Sequence, residues 1–137
     1  MCLIQGPTLY KNMHVIGEHY HIYNRGAHKA PIFNDPSDYD RFVSLLYVAN
    51  TSEKLVFSKI QEDVFSSERS DTLVNIFAYC LMPNHFHILA TPLVNGGLSK
   101  FMLKLQTGYS MYFNIKNRRN GSLFQGPFKS EHADTDT

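Results

Sequence analysis

Tryptophan is absent from this chain of 137 residues, and cysteine occurs only twice, at Cys2 and Cys80. Two cysteines so far apart build neither a disulfide framework nor a zinc module, so a reducing, cytoplasmic setting is the expectation. Long apolar runs are missing too: no stretch reaches the roughly 18 residues that a membrane-spanning helix needs. The opening residues, MCLIQGPTLYKN, lack the basic segment and following apolar run of a secretory signal. Internal repeats and low-complexity tracts are also lacking. Acid is scarce in one place. Residues 98–130 hold six Lys/Arg and no Asp or Glu, whereas residues 1–97 hold seven Lys/Arg against nine Asp/Glu. The last seven residues add three acids, so a net charge of +1 conceals the asymmetry. A segment this uniformly positive suits a phosphate backbone, and it suits the solvated face of a helix equally well.

A hydrophobic share of 43% with 18% charge is that of a folded chain, and the length fits one domain with a true core. Residues 18–25 alternate Tyr20 and Ile22 with His19, His21 and Tyr23, which predicts a strand ended by Gly26. Asn34-Asp35-Pro36 reads as a helix start. Tyr39, Phe42, Val43, Leu46 and Tyr47 follow it at the spacing of one apolar helical face. Between residues 50 and 72, Leu55, Val56, Phe57, Ile60, Val64 and Phe65 are spaced for a short strand or a short helix. LVNIFAYCLM (residues 73–82) predicts a buried strand. Pro83-Asn84 breaks it, and HFHILAT (residues 85–91) resumes as the second arm of a hairpin. After Gly96-Gly97, the apolar residues Leu98, Phe101, Met102, Leu105, Tyr109, Tyr112 and Phe113 trace one stripe of a long helix. Residues 122–130 predict a strand bent at Gly126-Pro127. The mixture predicts an α+β fold, a mostly antiparallel sheet with helices on one or both faces.

The sharpest local feature is Pro83-Asn84-His85-Phe86-His87. On a strand, residues i and i+2 share a face, so His85 and His87 stand side by side and Phe86 turns to the other face. Two neighbouring imidazoles can bind one divalent cation if oxygen or nitrogen ligands complete the shell. The plainer reading, and by this motif alone the commoner one, is a pair of half-exposed strand histidines. His19 and His21 have the same spacing, so spacing alone cannot choose.

Context can. Tyr20-His21-Ile22-Tyr23-Asn24-Arg25-Gly26, then Ile32-Phe33 and Asp38-Tyr39, resembles the opening of the REP-associated tyrosine transposases and the smallest insertion-sequence transposases. Ala78 to Leu89 (AYCLMPNHFHIL) is similar to their histidine–hydrophobe–histidine (HUH) motif. Leu98 to Met102, Tyr109, Tyr112-Phe113-Asn114 and Gly121 to Gly126 match in the same order, so the resemblance spans about residues 17–131. It implies a central antiparallel sheet flanked by helices, ferredoxin- or RRM-like, with His85 and His87 as metal ligands and no metal role for His19 or His21. The implied cofactor is a divalent metal, Mg²⁺ or Mn²⁺. The implied partner is single-stranded or hairpin DNA, contacted by Arg25, Lys100, Lys104, Lys116, Arg118, Arg119 and Lys129; relatives include homodimers as well as monomers. The implied reaction is nicking by a tyrosine hydroxyl, which leaves a 5′-phosphotyrosine and a free 3′-OH for rejoining.

The chain departs from that pattern in two places. Relatives carry the nucleophile in a Tyr-Ile-x-x-Asn/Gln motif on a helix beyond the Phe-Gln-Gly segment. Here the chain ends at Asp134-Thr135-Asp136-Thr137 and no Tyr follows Tyr112. The expectation is a single HUH domain over residues 1–137 that lacks the nucleophile helix and is inactive alone. Tyr109 and Tyr112 lie on the apolar stripe and read as core, with Tyr109 the weak fallback nucleophile. Pro127 also stands where relatives usually have Arg. Two other readings remain: a non-enzymatic single-strand binder with Tyr20 or Tyr23 stacked on bases, and a decayed transposase remnant.

Overall fold

In the computed structural model, residues 14–54, 65 and 68–133 are described. The expectations for Leu55 to Val64 and for the two chain ends lie outside these residues. Four strands form one sheet: β1 (Tyr20–Arg25), β2 (Val74–Met82), β3 (His85–Pro92) and β4 (Lys129–His132), in the order β2-β3-β1-β4. Every pairing is antiparallel. The α+β expectation therefore holds. The helices α1 (Pro36–Val48) and α2 (Gly97–Asn117) pack on one face. No described element covers the other.

Local chemistry explains the starts and stops. Asp35 caps α1 by accepting the Ser37 N–H at 2.9 Å, and Pro36 supplies a preset φ in the first turn. Strand alternation sorts β1 and β3 into two sets. Tyr20, Ile22, Phe86, Ile88 and Ala90 are buried under the helices with Phe42, Phe101, Met102, Leu105 and Tyr109. Each fully buried large apolar side chain stabilises the fold by about 1.5–3 kcal/mol. His21, Tyr23, Arg25, His85 and His87 take the open face, since Tyr23 opposes His87 and Arg25 opposes His85 in the register.

Three expectations need correction. Residues 74–82 do form a strand, but not a buried one: Phe77 and Tyr79 are 56% and 49% exposed, because β2 is the edge of the sheet. Residues 122–130 are not a continuous strand. Phe124 makes an isolated bridge with Gly26, and pairing resumes only at Lys129. Gly126 at φ +79° and Pro127, which has no N–H, break the ladder between them. Tyr20 is no base-stacking candidate, because it is 7% exposed on the core side.

Candidate metal centre and nucleic-acid interface

The β2–β3 turn carries the histidines. Its Pro83 carbonyl accepts the N–H groups of Ile32 and Phe33 at 2.8 and 3.1 Å, and the Asn84 carbonyl accepts that of Gly26 at 2.9 Å. The loop after β1 is thus fastened to the turn. Gly26 is required there: a Cβ on it would lie 2.1 Å from the Ala30 carbonyl oxygen, a distance no side chain tolerates.

On this support His85 and His87 stand on the open face with ring centroids 5.1 Å apart and planes at 89°. Both are half-buried and border a groove of about 520 Å³ whose rim includes Arg25, Lys29, Lys129, Asn84 and Gln125. Asn84 Oδ1 lies 2.8 Å from His85 Nδ1. His21, for which the resemblance implies no metal role, lies with Nε2 2.8 Å from His87 Nδ1. Burial, then the neighbouring His21 and His85, hold the His87 imidazole below its ordinary pKa, a shift in the direction of the neutral form. His19 points elsewhere, bonded to Thr91 Oγ1 and edge-on to Phe77. Among the described residues no group of three or more His, Cys, Asp or Glu side chains is arranged to hold an ion. The pair is two imidazoles, and the rest of any metal shell must come from other donors.

The predicted DNA contacts fall in two places. Arg25 and Lys129 lie at the groove, Arg25 donating from Nε to Gln125 Oε1 at 2.5 Å. The others sit on α2 or just after it, on the far side of the sheet. Lys104 donates to the carbonyls of Thr51 and Glu53. Lys116 pairs with Asp35 and Asp38 at 2.8 and 2.7 Å, which raises its pKa. Arg119 donates to Asn114 Oδ1 at 2.6 Å, while Lys100 and Arg118 are exposed.

Tyr109 is fully buried among Phe33, Phe42 and Tyr112, and its hydroxyl donates to the Ile32 carbonyl at 2.5 Å. Burial pushes its pKa well up, and the sheet separates it from His85 and His87. Tyr112 donates to Asp38 on the same side. Neither can reach the groove. Among the described tyrosines only Tyr23 lines it, and its hydroxyl donates to Glu131 at 3.1 Å, which raises its pKa.

Sequence reading missed Lys29 and Gln125 at the groove, and the place of His21 beside His87. Lys29 offered no signal, since a loop held by the turn positions it. His21 shared a face with Tyr23 by alternation, but its partner across the strands depended on register.

Among the described residues no helix is long and apolar enough to cross a membrane. No curated protein is significantly similar to the chain. A solved structure, that of a REP-associated tyrosine transposase bound to a REP hairpin, superimposes with a TM-score of 0.57 at 12% identity. The match covers 98% of this chain but only 64% of that one, and at such identity it speaks for the fold alone. The family model for IS200-like transposases matches residues 14–137, nearly the whole chain, and the chain belongs to that family.

Proposed function

We propose that this chain is the DNA-binding and metal-binding domain of a single-strand DNA transposase that acts at hairpin-forming DNA ends. The supporting observation is the His85/His87 pair, side by side on an open strand face in a groove rimmed by Arg25, Lys29 and Lys129, in a chain of this family. That the structurally similar transposase is bound to a hairpin supports the choice of ligand. The donor set fits a divalent ion: two half-exposed imidazoles by themselves favour Zn²⁺-like ions, and they accept Mn²⁺ or Mg²⁺ where DNA or water oxygens fill the remaining positions. Such an ion, when bound, supplies Lewis-acid polarisation and orientation of the scissile phosphate. Arg25, Lys29 and Lys129 neutralise the phosphates beside it, and Tyr23 offers a face on which an unpaired base stacks.

Nicking needs a tyrosine hydroxyl within about 3–3.5 Å of the phosphorus, in line with the leaving oxygen. Tyr109 and Tyr112 lie across the sheet, and the Glu131 bond makes Tyr23 a poorer nucleophile. None of these described tyrosines is placed to attack, so they are expected to form no covalent adduct, and a helix like the one that carries the tyrosine in relatives would complete the site. The test is incubation of the chain with labelled hairpin DNA and Mn²⁺, followed by a denaturing gel. Tyr23→Phe, Tyr109→Phe and Tyr112→Phe are run alongside. No band from this chain, and a band once a relative's helix is appended, is the expected result. A band that vanishes in one variant would overturn the reading and name the nucleophile.

The exposed Phe77 and half-buried Tyr23 on the open face favour a second reading, a non-enzymatic single-strand binder. Retained DNA binding that ignores divalent ions and the His85→Ala and His87→Ala changes would favour it.

A further inference from the structure

The contact between His21 and His87 is a hydrogen bond between two imidazoles, and its direction has a consequence. The ring centroids are 5.0 Å apart and the planes differ by 16°. With Nε2 of His21 and Nδ1 of His87 separated by 2.8 Å, the centroid distance is close to that bond plus the two ring radii. The rings therefore meet edge to edge in nearly one plane, as a linear hydrogen bond requires. A neutral imidazole has one donor nitrogen and one acceptor nitrogen. Two arrangements satisfy the contact. If His21 donates, His87 carries its own proton on Nε2 and has no lone pair left to ligate. If His87 donates from Nδ1, its Nε2 is bare.

The neighbouring histidine shows which arrangement serves the groove. Asn84 Nδ2 donates to the Lys29 carbonyl at 3.3 Å, which turns Asn84 Oδ1 toward His85. An amide oxygen only accepts, so His85 must donate from Nδ1 and keeps Nε2 bare. His85 and His87 can act on one ion through like nitrogens only if His87 has the same tautomer.

We propose that His21 is the hydrogen-bond acceptor that holds His87 in the Nδ1–H form with Nε2 bare, and so positions it as a ligand of the divalent ion. The inference rests on the metal reading of His85 and His87 given above. His21 is not a ligand itself, because its Nε2 is committed to His87. It acts as a partner behind a ligand, and loss of such partners typically lowers metal affinity by about 10–100-fold.

The test uses the full chain with ¹⁵N-labelled histidine. Long-range ¹H–¹⁵N spectra of the metal-free protein are expected to show His85 and His87 as Nδ1–H tautomers. Zn²⁺ is then expected to shift Nε2 of both and neither nitrogen of His21 to a metal-bound position. Mn²⁺ titration read by electron paramagnetic resonance gives affinity. His21→Phe, which keeps a flat ring without an acceptor, is expected to bind Mn²⁺ about 10–100-fold more weakly. His21→Gln, whose amide oxygen reaches about as far as Nε2, is expected to restore most of that loss. Thermal melts of both variants establish that the fold persists. An Nε2–H tautomer at His87, wild-type affinity in His21→Phe, or a metal-bound nitrogen on His21 would each overturn the proposal. Failure of the metal reading looks different: His85→Ala and His87→Ala would then bind Mn²⁺ as the wild type does.

Discussion

Tyr109 and His87 sit three and two residues from Tyr112 and His85, residues of the same type, and the sheet assigns the two pairs opposite work. Tyr109 is core, with its hydroxyl satisfying the buried Ile32 carbonyl. Tyr109→Phe leaves that carbonyl without its donor, and the expected loss is about 1–3 kcal/mol in urea denaturation, with DNA binding unchanged. His85→Ala and His87→Ala remove half-exposed side chains from the open face. They are expected to abolish Mn²⁺ binding while the melting temperature stays within a few degrees of wild type, as befits positions outside the core. A core collapse in either variant would mean that the pair is structural. Gly26 is the opposite case, a residue whose lack of a side chain matters. Gly26→Ala drives a Cβ into the Ala30 carbonyl and is expected to cost about 1–3 kcal/mol.

At the scale of elements, the seam between α1 and α2 is set by a buried acid. Asp38 is fully buried and accepts from the Asn34 N–H at 2.8 Å, from Tyr112 at 2.7 Å and from Lys116 at 2.7 Å. Burial pushes its pKa up, and the bonds from Lys116, Asn34 and Tyr112 more than offset this, leaving it below the usual carboxylate range. Asp35 is held at about 2 by the hydrogen bonds from Lys116 and then Ser37. Both folded pKa values are depressed, so the stability they contribute is present above the ordinary value of 3.8 and is lost as pH falls toward 2. A melting temperature that is level from neutral pH to about 4 and then falls is expected. Lys116→Met lowers the level part and flattens the fall, because the two acids lose the partner that depresses them. An unchanged acid limb in Lys116→Met would remove this seam from the account. The pairing also takes Lys116 out of the positive surface that the run of bases between residues 98 and 130 suggested.

The whole molecule is a two-layer sheet with its core on one face and its groove on the other, and that division predicts how it meets DNA. Binding to a single-stranded hairpin is expected to weaken as salt rises, each neutralised phosphate adding about −0.7 to the log–log slope. Lys129→Ala and Arg25→Ala, at the groove, should each flatten the slope by about that amount, whereas Lys116→Ala should leave it alone. Equal effects of all three would place the DNA on both faces. Much of this architecture was legible in the chain. The hairpin, the α2 stripe and the Asp35-Pro36 start are local, since each depends on residues a few positions apart whose periodicity the backbone imposes. The family resemblance also singled out His85 and His87 ahead of His19 and His21. The sequence by itself therefore determined the strand and helix types, the pairing of His85 with His87, and the family. Tertiary structure alone decided that β2 is an edge, that Lys104 and Lys116 are tied down, that Lys29 reaches the groove, and that His21 meets His87. Those outcomes follow from strand order, register and loop closure, contacts between residues far apart in the chain that no local spacing encodes.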